Sequence, residues 1–63
     1  MVYDKVIAYC EENSLSTMAF EKKCGLSNGI VAKWKENNYN PSLGTLVKIS
    51  IATGVPIEKW LEK

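Results

Sequence analysis

The chain has no histidine, its eight basic residues include no arginine, and its 63 residues hold two cysteines, two prolines and four glycines. With no histidine and two cysteines, a four-ligand zinc site lacks a donor set, and a secreted disulfide framework cannot be built. The missing histidine removes the commonest general base, and no Gly-rich phosphate cradle stands between a strand and a helix. No paired carboxylates share an inward face, and Cys24 has no base to activate it. Neither an enzyme nor a cofactor nor a metal is expected. No apolar run is long enough to cross a bilayer, and no charged-then-apolar leader opens the chain. A membrane partner is therefore not expected, and a cytoplasmic location is.

Residues 1–63 read as a single domain, without repeats, low-complexity tracts or linkers. A chain this short buries only about 60% of its unfolded surface, so its core must be economical. Several short helices, each contributing one apolar stripe, meet that limit. Tyr3, Val6, Ile7 and Cys10 follow helical spacing and predict a first helix near 3–12, stopped by Asn13-Ser14. Ser16 can cap a second helix near 17–24, with Phe20 and Cys24 facing inward and Gly25 at its left-handed end. Ser27 is the expected cap of a third helix near 28–36, and Asn37 to Pro41 reads as a loop. Ser42 can cap a fourth helix ending before Gly54, and Pro56 is placed to open a fifth near 57–62. Cys10 and Cys24 are expected as core thiols, a redox switch being the alternative. Trp34 and Trp60 sit on helical stripes with Val31 and Ile57, as core aromatics do.

The net charge of +1 is small, but it is unevenly placed. Residues 1–21 set Lys5 against Asp4, Glu11, Glu12 and Glu21. Residues 22–48 set Lys22, Lys23, Lys33, Lys35 and Lys48 against Glu36 alone, and residues 49–63 cancel. A positive middle segment is the electrostatic footprint of a phosphate-facing surface, or else part of an ordinary mixed-charge exterior. The run Ser27-Asn28-Gly29-Ile30-Val31-Ala32-Lys33-Trp34 lies in that segment, entered through Gly25. Two brief helices joined by a Gly turn, the second opening with small polar residues, suit insertion into a DNA major groove.

The Ser16 cap, Phe20, Cys24-Gly25-Leu26-Ser27-Asn28-Gly29, Val31 and Lys33-Trp34 together resemble the phage-repressor and Cro type of helix-turn-helix domain, the XRE-like family. Pro41-Ser42, Leu46, Ile49, Gly54-Val55 and Trp60-Leu61 continue the likeness, which covers essentially the whole chain. The resemblance implies an all-α, compact five-helix bundle of the lambda-repressor-like DNA-binding type, with the helix-turn-helix at helices 2 and 3. It implies sequence-specific binding of double-stranded DNA by a transcriptional regulator, with Asn28, Gly29 and Lys33 at base edges or nearby phosphates. Asn28 can pair bidentately with adenine or cap the helix start, Lys33 can reach guanine or a phosphate or stay solvated, and Ala32 offers a methyl to thymine. Gly29 permits close approach of backbone to DNA or is simply tolerated near a helix start. Ile30 borders the inward stripe and is read as core flank, with a thymine methyl or another protein as alternatives.

Helix N-termini attract phosphate, which makes Thr17, Ser27, Ser42 and Thr45, with Asn38, Tyr39 and Asn40 in the loop, the candidate phosphate contacts. Dimers of such domains read two half-sites, and Ile57, Trp60 and Leu61 offer a candidate homodimer surface. Three positions depart from the family pattern: Thr17 where Gln is frequent, Glu21 where a small residue is, and Thr53 where a larger apolar residue is. Glu21 is expected to add negative charge near the docking face, and Thr53 to loosen the core. The absence of arginine, the commonest bidentate reader of guanine, and the apolar Ile30-Val31-Ala32 run favour the alternative function. That alternative is a helix-turn-helix scaffold used as a protein-interaction module, an antirepressor or adaptor, with a protein partner in place of DNA.

Overall fold

Local capping chemistry divides the chain into helices. A computed structural model describes residues 2–37 and 40–61. Its elements are α1 (Val2–Glu12), α2 (Thr17–Cys24), α3 (Ile30–Glu36), α4 (Leu43–Thr53) and α5 (Ile57–Leu61), with no strand among the described residues. The result is an all-α five-helix bundle of 26 × 23 × 19 Å.

Ser16 and Ser42 act as the expected N-caps, their hydroxyls accepting the N–H of Ala19 at 3.1 Å and of Thr45 at 3.3 Å. Gly25 and Gly54 close α2 and α4 in the left-handed region, at φ 69° and 74°. Two boundaries differ from the reading of the sequence. α1 starts at Val2, whose N–H donates to Asn40 Oδ1 at 3.0 Å, so a loop residue 38 positions away sets its first turn. α3 starts at Ile30 and not at Asn28, with Gly29 in the left-handed region as its N-cap.

α2 packs on α1, α3 and α4, while α5 packs on α1 and α4. Val6, Phe20, Val31, Trp34 and Ile49 are the largest fully buried side chains. Tyr9, Phe20 and Trp60 meet in a triangle, with ring centroids 5.8, 6.0 and 6.3 Å apart and planes inclined 60–69°. Such tilted edge contacts add about 0.5–1.5 kcal/mol per pair beyond area burial. Trp60 Nε1–H is buried with no partner among the described residues. An indole N–H left wholly unpaired would cost about 1–3 kcal/mol. Burying an indole of about 150–250 Å² contributes roughly 4–6 kcal/mol, which exceeds it. Cys10 and Cys24 are free and buried. Burial pushes both thiols above the ordinary thiol range, Glu11 adding to the rise at Cys10 and Lys23 partly opposing it at Cys24.

Thr53 corrects one expectation. Its hydroxyl donates to Ile49 O at 2.7 Å and accepts the N–H of Val55 at 3.3 Å. Ser50 Oγ donates to Val55 O at 2.8 Å from the same turn. A polar residue at position 53 therefore ties α4 to the approach to α5, where a larger apolar side chain would have filled space.

Thr53→Val keeps the shape and removes both hydroxyl bonds. It is expected to lower unfolding free energy by about 1–2 kcal/mol in urea titrations; a loose core at this site would instead give a gain. The raised thiols hold protons in the folded state that the unfolded chain releases first. The thiol contribution to stability is accordingly expected to be constant below about pH 8, near the unfolded thiol value, and to fall as pH rises beyond it. Urea midpoints between pH 7 and 9.5 measure this, and the fall should flatten in the Cys10→Ala/Cys24→Ala double variant.

Candidate nucleic-acid interface

The interface is built on the turn between α2 and α3. Gly25 N–H donates to Lys22 O at 3.3 Å and Leu26 N–H to Glu21 O at 2.8 Å, the paired bonds that end a helix on a left-handed residue. Leu26 then drops its side chain against the core. Ser27 O accepts the N–H of Ile30 at 3.2 Å, which brackets Asn28 and Gly29 in a tight turn.

Ser27 is not the side-chain cap of α3. That role belongs to Glu21, which reaches across from α2: its Oε1 accepts Gly29 N–H and its Oε2 accepts Val31 N–H, each at 3.0 Å. Glu21 is only 4% exposed, so the negative charge expected on the docking face is instead spent on two backbone donors inside the protein. Gly29 is the backbone N-cap at φ 84°. A Cβ added there meets nothing within 4 Å, so its left-handed backbone, and not crowding within the chain, calls for glycine.

α3 then divides cleanly. Val31 and Trp34 are buried, Ile30 is half-buried on the core flank as expected, and Ala32 and Lys33 are exposed. Asn28 is exposed as well, but it lies in the turn before the helix and not on its outer face. Lys35 Nζ sits 5.7 Å from the centroid of the Tyr3 ring, a cation–π contact that turns it toward α1. Lys22, Lys23, Lys33, Lys35 and Lys48 are all exposed.

The candidate phosphate contacts fall into three groups. Thr17 and Ser27 are exposed, at the start of α2 and in the turn. Ser42 is exposed and Thr45 half-exposed at the start of α4, their hydroxyls hydrogen-bonded to each other at 3.1 Å. Asn40 is exposed, but its Oδ1 is taken by the first turn of α1. Asn38 and Tyr39 lie outside the described residues. The suggested dimer surface needs one correction: Trp60 is 3% exposed and belongs to the aromatic triangle, which leaves Leu61, exposed, and Ile57, half-buried.

A helix-turn-helix family model matches residues 7–60, from the middle of α1 to the end of the aromatic triangle. The chain belongs to the helix-turn-helix family of the Cro and XRE type. No curated protein and no solved structure matches it. This helix-turn-helix family is one of DNA-binding regulatory domains rather than of enzymes. Among the described residues, no helix is long and apolar enough to cross a membrane.

Because strain alone opposes a side chain at position 29, Gly29→Ala is expected to lower unfolding free energy by about 1–2 kcal/mol without changing helix content. Urea unfolding followed by circular dichroism reads both quantities.

Proposed function

We propose that this helix-turn-helix domain is a cytoplasmic transcriptional regulator that reads double-stranded DNA by sequence, with the turn and α3 in the major groove. The observation that carries the reading is the division of the turn and α3: Val31 and Trp34 fix the helix to the core while Ala32 and Lys33 on the helix, and Asn28 in the turn before it, are exposed. Asn28 pairs with adenine, Ala32 contacts a thymine methyl and Lys33 takes a guanine edge or a phosphate. Gly29 keeps the backbone between them low enough to approach the bases. Thr17, Ser27, Ser42 and Thr45 supply phosphate contacts that set the register, with Asn40 ahead of α4, and Asn38 and Tyr39, outside the described residues, as further candidates.

A single molecule covers one half-site. The backbone of the described residues extends 26 Å along its longest axis, shorter than the ~34 Å that separates half-sites one helical turn apart. A two-fold operator therefore takes a homodimer, with Leu61 and the open side of Ile57 as the contact around the C-terminal helix.

One feature favours a protein partner as a second reading. Leu43, Val47 and Ile51 follow one another at four-residue intervals along α4, and all three are exposed, Ile51 at 78%. Residues so spaced share one helix face, and an apolar strip of this kind is what a protein-interaction module presents.

Selection from a random duplex-DNA library at low salt separates the two. An enriched two-fold motif with half-sites one turn apart supports the DNA-reading dimer; recovery of no motif by a folded protein favours the protein partner. Given a motif, Asn28→Ala and Lys33→Ala are expected to leave the melting temperature within about 2 °C and to weaken the selected site by roughly 5–150-fold each. Unchanged affinity and unchanged sequence preference in both variants would remove these residues from the reading surface.

A further inference from the structure

Glu21 is the buried carboxylate of the described residues, and what it holds is the entry to the reading segment. Its two oxygens take two amides two residues apart, Gly29 N–H and Val31 N–H, while the amide between them, Ile30 N–H, is held by Ser27 O. All three consecutive donors entering α3 are thus occupied from within the protein. The left-handed turn at Gly29, at φ 84°, accompanies the convergence of these two amides on one planar carboxylate. The fork therefore fixes both the turn that carries Asn28 and the first residues of α3 relative to α2.

We propose that Glu21 is a positioning residue for sequence reading: through Gly29 and Val31 it sets the placement of Asn28 and of α3, without itself touching DNA. This rests on the DNA-reading function proposed above. Bidentate pairing with a base edge tolerates errors of only about 0.5 Å and 10–20°, so it depends on how rigidly its backbone is held. Phosphate contacts and long-range attraction do not. Loss of the fork should consequently reduce discrimination between sites more than general affinity for DNA. It follows too that the Gly29, Ile30 and Val31 amides at the amino end of α3 are not open to a phosphate, since Glu21 and Ser27 O already hold them. Thr17 and Ser42, exposed, and Thr45, half-exposed, at the starts of α2 and α4 are left to engage the DNA backbone.

Glu21→Gln tests this with little change in volume. A glutamine has one acceptor oxygen, and its NH2 group faces the second amide donor with nothing to accept. The variant is compared with wild type and with Ser50→Ala, which removes the bond to Val55 O far along the chain from α3. All three are measured at a temperature where circular dichroism shows them folded. The quantities read are affinity for the selected site, affinity for random duplex DNA, the salt dependence of both, and the amide NMR positions of residues 28–33.

For Glu21→Gln the ratio of specific to non-specific affinity is expected to fall about tenfold or more, with the salt slope unchanged and the Gly29 or Val31 amide resonance displaced. Ser50→Ala should keep the wild-type ratio. Should Glu21→Gln not fold, Glu21→Asp, which keeps the charge with a shorter reach, goes through the same measurements with the same expectation. A wild-type ratio in the folded variant overturns the proposal, as does an equal fall in Ser50→Ala, which would make the effect one of general stability. If the wild-type protein enriches no sequence, the DNA-reading function itself is what fails, and the positioning role falls with it.

Discussion

The meeting of Tyr9, Phe20 and Trp60 is the contact on which the rest of this bundle depends. It joins the first, second and fifth helices at one point, and it closes a chain too short to afford a second core. α5 has five described residues, too short a segment to persist as an isolated helix. Trp60 anchors it. Phe20, on the opposite side of the triangle, is also the residue immediately before Glu21 in α2. The rings that complete the core therefore orient the helix from which the carboxylate reaches into the turn. Packing and presentation are linked here through two adjacent side chains.

Much of the fold was legible because it is written in local chemistry. A serine ahead of a helical stripe and a glycine behind one describe their own roles, and Ser16, Ser42, Gly25 and Gly54 take them as read. The inward pairing of Val31 with Trp34 follows from spacing alone, as does the burial of Cys10 and Cys24. Resemblance to the helix-turn-helix family, carried by the same residues, agrees with the family match over residues 7–60.

The misreadings share a physical cause: each concerns a polar group whose partner is not its immediate neighbour in the expected pattern. Ser27 looks like a cap for α3, but the donors it would satisfy are taken by a carboxylate eight and ten residues earlier. Asn40 is loop surface as expected, and its side-chain Oδ1 has the further role of accepting the first amide of α1. Thr53 looks like a poor apolar residue until its hydroxyl is seen bridging Ile49 and Val55. Trp60 was legible as core, and its simultaneous appearance on a dimer surface was a conflict that burial resolves. One signal for the Glu21 fork was present in the sequence: a charged residue directly following a core aromatic, ahead of a glycine placed where a helix should start.

The route by which α3 is held has a consequence for how such a domain can change. Its support comes from the backbone turn at Gly29 and from Glu21, Val31 and Trp34, whose side chains are all buried. The side chains at 28, 32 and 33 carry no part of that support. Scaffold and lettering are thus assigned to different residues, and the three outward positions can be rewritten together without renegotiating the backbone beneath them. A lineage, or a designer, can pass from one set of outward residues to another through folded intermediates, provided the buried carboxylate and its glycine stay together.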